Sequence, residues 1–351
     1  MTLRPPAGRK GETPNGVPTI RDVARLAEVS IGTVSRVIND SANVGVELRG
    51  RVEKAVRQLG FTPDASARSL RGGATRSFAC VVRDLTVPVL ARFADAMQRE
   101  LDARGHALFV ASSYHTFARE RDLLRSFELR RVDGLVIATS SERSPHLLGL
   151  LNRCRVPITL LDRAAPANLD AVTVDHASGS QEAIAHLLSL GHRRIAFISG
   201  EPSLSPTRER LRGYSEAHEA QGVPVLPGLL RLGSFATEYG FESALELLSG
   251  PDRPTAIFAA GTALLPGVLR AVRQLGLSIP RDLSIAAGAD SELAEFHSPP
   301  IAVVRWDHGE LGAAAARFLL DRVGTPDLPP RRFQARTTML PRASCARPPE
   351  G

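Results

Sequence analysis

Residues 19–40 read Thr19-Ile-Arg-Asp-Val-Ala-Arg-Leu-Ala-Glu-Val-Ser-Ile-Gly-Thr-Val-Ser-Arg-Val-Ile-Asn39-Asp40. Thr19 is placed to cap a helix whose apolar face is Val23, Ala24, Leu26 and Ala27. A turn at Glu28-Val29 follows, and Ser30 can cap a second helix with Val34, Val37 and Ile38 inward. Further on, Leu48, Val52, Ala55, Val56 and Leu59 have the spacing of one helical side. The pattern predicts an all-α, three-helix unit over residues 18–61 with a helix-turn-helix at its front. In that arrangement the first helix braces the second, whose outward residues reach base edges in the major groove of DNA. Ile31, Gly32 and Arg36 are the outward positions: Arg36 can fork onto guanine, and Ile31 can meet a thymine methyl. Thr19, Thr33, Ser35 and Asn39 are short hydroxyl or amide groups suited to holding phosphates.

Charge supports a polyanion partner for this unit. Residues 1–73 carry 12 Lys+Arg against 7 Asp+Glu, most of the excess in a chain of net charge +7. Lys10 and Lys54 are the only lysines, an arginine preference that a GC-rich genome's codon usage explains. Residues 1–17 are polar and rich in Pro and Gly, which predicts a disordered tail, and residues 341–351 are read as a second flexible tail. The opening MTLRPPAGRKGETPNG has basic residues without an apolar run after them, so no secretory signal is expected and the cytoplasm is the expected location. No apolar run approaches the ~18 residues of a membrane span. Cys80, Cys154 and Cys345 are odd in number and widely spaced, unlike a disulfide framework or a cysteine-rich zinc site. His186 and His192 do not share a helix face, and neither a metal nor a cofactor is expected.

From residue 76 onward, apolar runs alternate with amphipathic stretches. Strands are expected at 78–82, 107–111, 134–138, 158–161, 171–174, 195–199, 256–260, 283–287 and 301–304. Helices are expected near 89–104, 119–130, 177–190, 207–221, 236–249, 263–275 and 309–323. Such alternation calls for parallel sheets covered by helices, and so many strands call for two α/β lobes with a ligand cleft between them. The expected division is a hinge over 62–75 and an effector-binding and dimerisation domain over 76–340. Within that domain, lobe 1 is taken as 76–174 plus 305–325 and lobe 2 as 175–304. An enzyme on the same scaffold is disfavoured: no GxSxG, P-loop, HExxH or GxGxxG stands at a strand-helix turn.

The run TIRDVARLAEVSIGTVSRVIND closely resembles the DNA-binding start of the lactose/galactose repressor (LacI-type) family. The similarity continues through RVEKAVRQLGFTPDASARSLRGG to about residue 340. It implies a helix-turn-helix, a hinge helix and a two-lobed periplasmic-binding-protein-like domain. It also implies a sequence-specific transcription regulator, by default an effector-controlled repressor of metabolic, carbohydrate-related genes, bound as a homodimer to a near-palindromic operator. No leucine heptad follows Pro341, so a dimer is expected rather than a tetramer held by a C-terminal coiled coil. ASARSLR would be the hinge helix that enters the minor groove, with Leu70 as the wedge between base steps and Ala67 and Arg68 in support. Two glycines depart from the family's third helix: Gly45 replaces a capping hydroxyl, and Gly50 lies inside the helix.

VDGLVIATS, VPITLLDR and RERLRGY match the family's effector domain, and the resemblance places Asp162, Arg163, Arg210, Phe235 and Asp290 at a small-molecule pocket. Three pocket motifs have changed. The family's PDxxNPFF stands as Arg83-Asp-Leu-Thr-Val-Pro-Val-Leu90, its AxND as Ala259-Ala-Gly-Thr262, and its GFDD as Ala287-Gly-Ala-Asp290. The lost side chains are those that would bond sugar hydroxyls, so either the effector is not a typical sugar or effector control is weakened.

Overall fold

The computed structural model describes residues 18–38, 44–61 and 75–349. The chain divides into two compact units, residues 1–75 and 76–351. Asn39, Ala67, Arg68 and Leu70, and the tail over 1–17, lie outside the described residues.

In the first unit, α1 (Ile20–Ala27), α2 (Ile31–Ile38) and α3 (Val46–Leu59) enclose a core of Val23, Ala24, Ala27, Val34, Val37, Val52 and Ala55. The Asp22 carboxylate accepts from the Thr19 N–H at 2.9 Å and from its hydroxyl at 2.7 Å, fixing the start of α1. Ser30 Oγ accepts from the Thr33 N–H at 3.1 Å and starts α2. Between them Glu28 turns the chain at φ 53°, a left-handed conformation that disfavours a side chain. Two leucines expected in this core are not there: Leu26 is 42% exposed and Leu48 39% exposed. Each stands one helical step off the stripe that the smaller Val and Ala residues occupy.

The second unit carries two six-stranded sheets. The first runs in the order β11-β5-β4-β3-β1-β2, from β1 (Ser77–Val82), β2 (Ala107–Ser112), β3 (Gly134–Ile137), β4 (Ile158–Leu161), β5 (Asp170–Val174) and β11 (Arg332–Ala335), all parallel. The second runs β12-β10-β9-β8-β6-β7, from β6 (Ile195–Ser199), β7 (Leu230–Leu232), β8 (Ala256–Ala259), β9 (Ser284–Ala287), β10 (Ala302–Arg305) and β12 (Thr338–Leu340). Only the edge strand β12 is antiparallel, pairing Leu340 with Val303. Ser-Phe-Ala-Cys-Val-Val of β1 is buried throughout, as a parallel strand covered on both faces requires.

The helices follow in order: α4 (Pro88–Asp102), α5 (Phe117–Leu129), α6 (Pro145–Arg153), α7 (His176–Ser189), α8 (Ser205–Ala220), α9 (Thr237–Ser249), α10 (Leu265–Gln274), α11 (Glu292–Phe296) and α12 (His308–Gly324). α7 and α8 touch closely because Gly213 faces the Ala177 carbonyl, where no Cβ fits. α12 packs on the first sheet, and the buried Asp170 carboxylate ties it down. That carboxylate receives Arg322 Nε and Nη2 at 2.8 Å each and the Arg331 N–H at 2.7 Å.

Three segments carry the chain between the sheets, after β5, after β10 and between β11 and β12. They lie side by side. The Asp175 N–H donates to Ala335 O at 2.9 Å, Thr337 Oγ1 donates to Asp175 O at 2.8 Å, and the His176 and Trp306 rings meet edge to face at 5.9 Å.

The structure departs from expectation in five elements and one tail. α6, α11, β7 and the pair β11/β12 were not anticipated. The strands are three or four residues long with Arg231 and Arg332 within them, too short and polar to stand out, and α11 has five residues. Residues 341–349 are not a free tail. Ser344 is fully buried, its hydroxyl donating to Ile285 O at 2.6 Å and accepting from the Ala302 N–H at 2.8 Å. His192, also buried, bonds Thr255, Ser284 and the Ala346 carbonyl, so it clamps this segment. The three thiols are unpaired, and burial pushes Cys80 up to about 12 and Cys154 and Cys345 up to about 11, so they stay protonated and inert.

Candidate functional site

In the first unit, α2 turns Val34 and Val37 into the core and presents Ile31, Gly32 and Arg36 outward. Ile31 is 42% exposed, an apolar side chain in water. Arg36 Nε donates to Gly32 O at 3.2 Å, which leaves the rest of the guanidinium facing solvent. Thr33 Oγ1 lies 2.9 Å from Ser30 Oγ, and the Thr19 hydroxyl is on Asp22, so both expected phosphate holders already stand in capping contacts. Ser35 is half-buried on the same helix.

In the second unit the carboxyl ends of both sheets face a cleft of about 970 Å³. Four of the five expected pocket residues meet there: Asp162, Arg163, Arg210 and Phe235. The fifth does not. Asp290 is turned away onto two cations, Arg305 at 2.9 Å and Arg342 at 3.1 Å, and does not line the cleft. The reason is electrostatic: β10 and the ordered segment after β12 bring both guanidinium groups to its carboxylate.

Asp162 follows β4 in a left-handed conformation, φ 51°, the strained geometry common where a side chain is aimed into a site. Its carboxylate accepts from His176 Nε2 at 2.9 Å and from the Val174 N–H at 3.3 Å. Burial opposes its charge, but the hydrogen bond from His176 and the charges of Arg210 and Arg163 outweigh burial and hold the carboxyl below the usual carboxylate range. Burial, together with Arg210, pushes the His176 imidazole below its ordinary value. The neutral ring therefore donates Nε2–H to Asp162.

Arg163 is 7% exposed and bonds two carbonyls, Thr139 O from Nε at 2.7 Å and Asp162 O from Nη1 at 2.8 Å. Arg210 is equally buried, and no described residue hydrogen-bonds or ion-pairs with its guanidinium. Burial lowers it to about 10. Its carbon centre lies 5.6 Å from the Phe235 ring, and that of Arg83 lies 5.9 Å from the same ring. Phe235 is wedged between Gly200 and Gly261; a Cβ at residue 261 would stand 2.6 Å from its Cδ1. The ring thus fills the space next to the position where the family motif carries asparagine.

The sequence reading missed Arg83, Tyr114, His115, Trp306 and His308 in the cleft wall. Trp306 carried a signal: it is the one tryptophan of the chain, and it directly follows β10. Its ring stacks on His308 at 4.9 Å. Among the described residues, no group of three His, Cys, Asp or Glu is arranged to hold a metal, and no helix is long and apolar enough to cross a membrane.

Comparison with known proteins matches both units. Residues 19–64 fit the family model "Bacterial regulatory proteins, lacI family", and residues 184–345 fit "Periplasmic binding protein-like domain". The ribose operon repressor of Escherichia coli K12 is 32% identical over 327 residues, 93% of this chain and 99% of that one. The HTH-type transcriptional regulator DegA of Bacillus subtilis is 33% identical over 302 residues, 85% of this chain and 89% of the other. A solved complex of the transcriptional regulator CelR with cellobiose is 31% identical with a TM-score of 0.71, covering 93% and 99% of the two chains. A lac repressor dimer bound to operator and anti-inducer shares the fold at 24% identity, with a TM-score of 0.83 and coverage of 94% and 99%.

Proposed function

This chain belongs to the lacI family of bacterial regulatory proteins, and on that footing we propose that it is an effector-controlled repressor gripping a near-palindromic duplex as a homodimer. It is a DNA-binding transcription regulator with a two-lobed periplasmic-binding-protein-like domain. The observation that carries the proposal is the outer face of α2, where a capped helix on a dry core holds Ile31 and Arg36 in solvent.

Arg36 reads a guanine and Ile31 a thymine methyl, with Gly32 allowing close approach. Thr19, Thr33, Ser35 and Asn39 hold phosphates and fix register. Leu70, flanked by Ala67 and Arg68, wedges the minor groove. Asp162, Arg163, Arg210 and Phe235 receive a small effector, a sugar or sugar derivative in keeping with the ribose and cellobiose named for relatives. The effector shifts operator affinity because it binds one arrangement of the lobes more tightly than the other. A second copy has a surface to use: edge strand β2 leaves Phe109 46% and Val110 38% exposed. The relatives are regulators, which supports a binding rather than a catalytic role for the cleft, and a DNA partner suits a cytoplasmic protein.

Selection of genomic fragments by the purified full chain, followed by gel shift, tests this reading. We expect a two-fold symmetric site, binding that weakens steeply with salt, and relaxed preference at one symmetric base pair in Arg36→Ala. Equal affinity for the selected site and a scrambled duplex would end it.

A further inference from the structure

The cleft has an unbalanced interior. Four arginines line it, Arg83, Arg92, Arg163 and Arg210; Arg92 faces the exposed Glu292, whereas Arg163 and Arg210 are each 7% exposed. Arg210 has no hydrogen-bond or ion-pair partner among the described residues, and Arg163 is held by backbone carbonyls, which carry no full charge. Two buried cations that share one carboxylate, Asp162, leave positive charge uncompensated, and an oxyanion with bidentate geometry is what a guanidinium recognises best.

Asp162 faces both Arg210 and Arg163, and it is shared with His176 and the Val174 N–H. The other carboxylates are committed elsewhere: near Arg163, Glu120 bonds Ser140 and Glu142 pairs with Arg208 at 2.8 Å. Asp84 folds onto the Thr86 N–H and hydroxyl at 2.8 Å each, Glu201 is exposed and takes the Ser203 hydroxyl at 3.2 Å, and Glu292 faces Arg92 at 3.7 Å. No Asn or Gln stands among the described residues that line the cleft, so the amides that pair with neutral sugar hydroxyls are lacking. The carbon body of a ligand is better served: Phe235 lies under two of the guanidinium groups, and Trp306 forms another part of the wall.

We infer that the effector is a small organic acid, a carbon skeleton bearing a phosphate or carboxylate that Arg210 and Arg83 receive with Arg163 behind them, its body against Phe235 and Trp306. This rests on the effector-controlled reading above and narrows its ligand class. Phosphate and carboxylate share the chemistry, and the test separates them.

The full chain is titrated at constant ionic strength with inorganic phosphate and with two matched sets, ribose, ribonate and ribose 5-phosphate, and glucose, gluconate and glucose 6-phosphate. Trp306, the sole tryptophan, reports binding by its emission. Inorganic phosphate and at least one acid should change that emission, and the neutral parent of the responding acid should bind on the order of tenfold more weakly or worse. Response to the phosphate ester alone or to the sugar acid alone fixes the acidic group. Arg210→Met and Arg83→Met should each weaken the acid on the order of tenfold or more, while Arg99→Met, on an exposed helix face outside the cleft, leaves it unchanged. Should Arg210→Met fail to fold, the more exposed Arg83→Met decides. Neutral sugars binding as tightly as their acids, silence toward every anion tried, or unaltered affinity in the Arg83 variant would each overturn the inference. Gel shifts on the same preparations keep the two readings apart. Protein that binds its selected duplex yet ignores all anions sinks only the acid, whereas protein without a specific duplex sinks the regulator.

Discussion

Gly261→Ala tests whether Phe235 shapes the cleft. A Cβ built at residue 261 stands 2.6 Å from Cδ1 and 3.0 Å from Cε1 of Phe235, and 3.3 Å from Cδ1 of Leu264. The ring cannot slide away, because its other edge already lies against Gly200. Overpacking of this kind costs about 1–3 kcal/mol. With Phe235→Ala in place, the two closest carbons vanish and only the Leu264 contact remains, so the same methyl should cost a few tenths of a kcal/mol. The double-mutant cycle should therefore show a coupling of about 1–2 kcal/mol. Urea unfolding of the full chain followed by Trp306 emission measures it, since that reporter belongs to the second unit. Equal cost of Gly261→Ala in both backgrounds would refute the steric argument and reopen the question of why the asparagine was lost.

Other outcomes follow from single features. Gly50→Ala should stabilise the helix-turn-helix unit by about 1 kcal/mol, because no atom lies within 4 Å of the new methyl and the helix gains propensity; circular dichroism melts of the unit in the full chain check it. Asp170→Ala should cost about 3–5 kcal/mol in denaturant titrations, since Arg322 and the Arg331 N–H lose a fully buried acceptor. Stability should also fall in acid in two steps. Burial, with help from Arg92, holds His308 at about 4, below its unfolded value, so the unfolded chain takes up the proton first and up to about 3 kcal/mol is lost as pH falls from 6.5 through 4. Asp162, held below the usual carboxylate range by His176, Arg210 and Arg163 despite its burial, contributes stability that survives that step and is lost below pH 4. His308→Gln should shrink the first limb without abolishing it, because burial also lowers His115, His176, His186, His192 and His218; an unchanged limb would assign it to those groups.

The helix-turn-helix was legible because its caps, turn and core are local. Thr19, Ser30 and the alternation of Val and Ala need only their neighbours in sequence. The long buried runs of the parallel sheets were equally plain, since strands covered on both faces are apolar throughout. Pocket membership was partly legible through the family resemblance: Asp162 and Arg163 follow β4, Arg210 stands in the second turn of α8 and Phe235 follows β7, and all four line the cleft. What escaped depends on distant partners. Asp290 looks like a pocket acid until Arg342, far along the chain, is seen to hold it. Residues 341–349 look like a tail because the buried contacts of Ser344 and Ala346 involve Ile285, Ala302 and His192. Leu26 and Leu48 fit a helical stripe by spacing, but smaller residues fill the narrow core of three short helices.

The three adjacent passages between the sheets set the mechanics of the second unit. Lobes tethered by one strand can swivel in any direction, whereas three parallel tethers act like the spine of a book and permit chiefly opening and shutting. His176 and Trp306 belong to two of those tethers and meet each other across them. A guest pressing on the indole therefore leans on the spine itself, and the pages must answer.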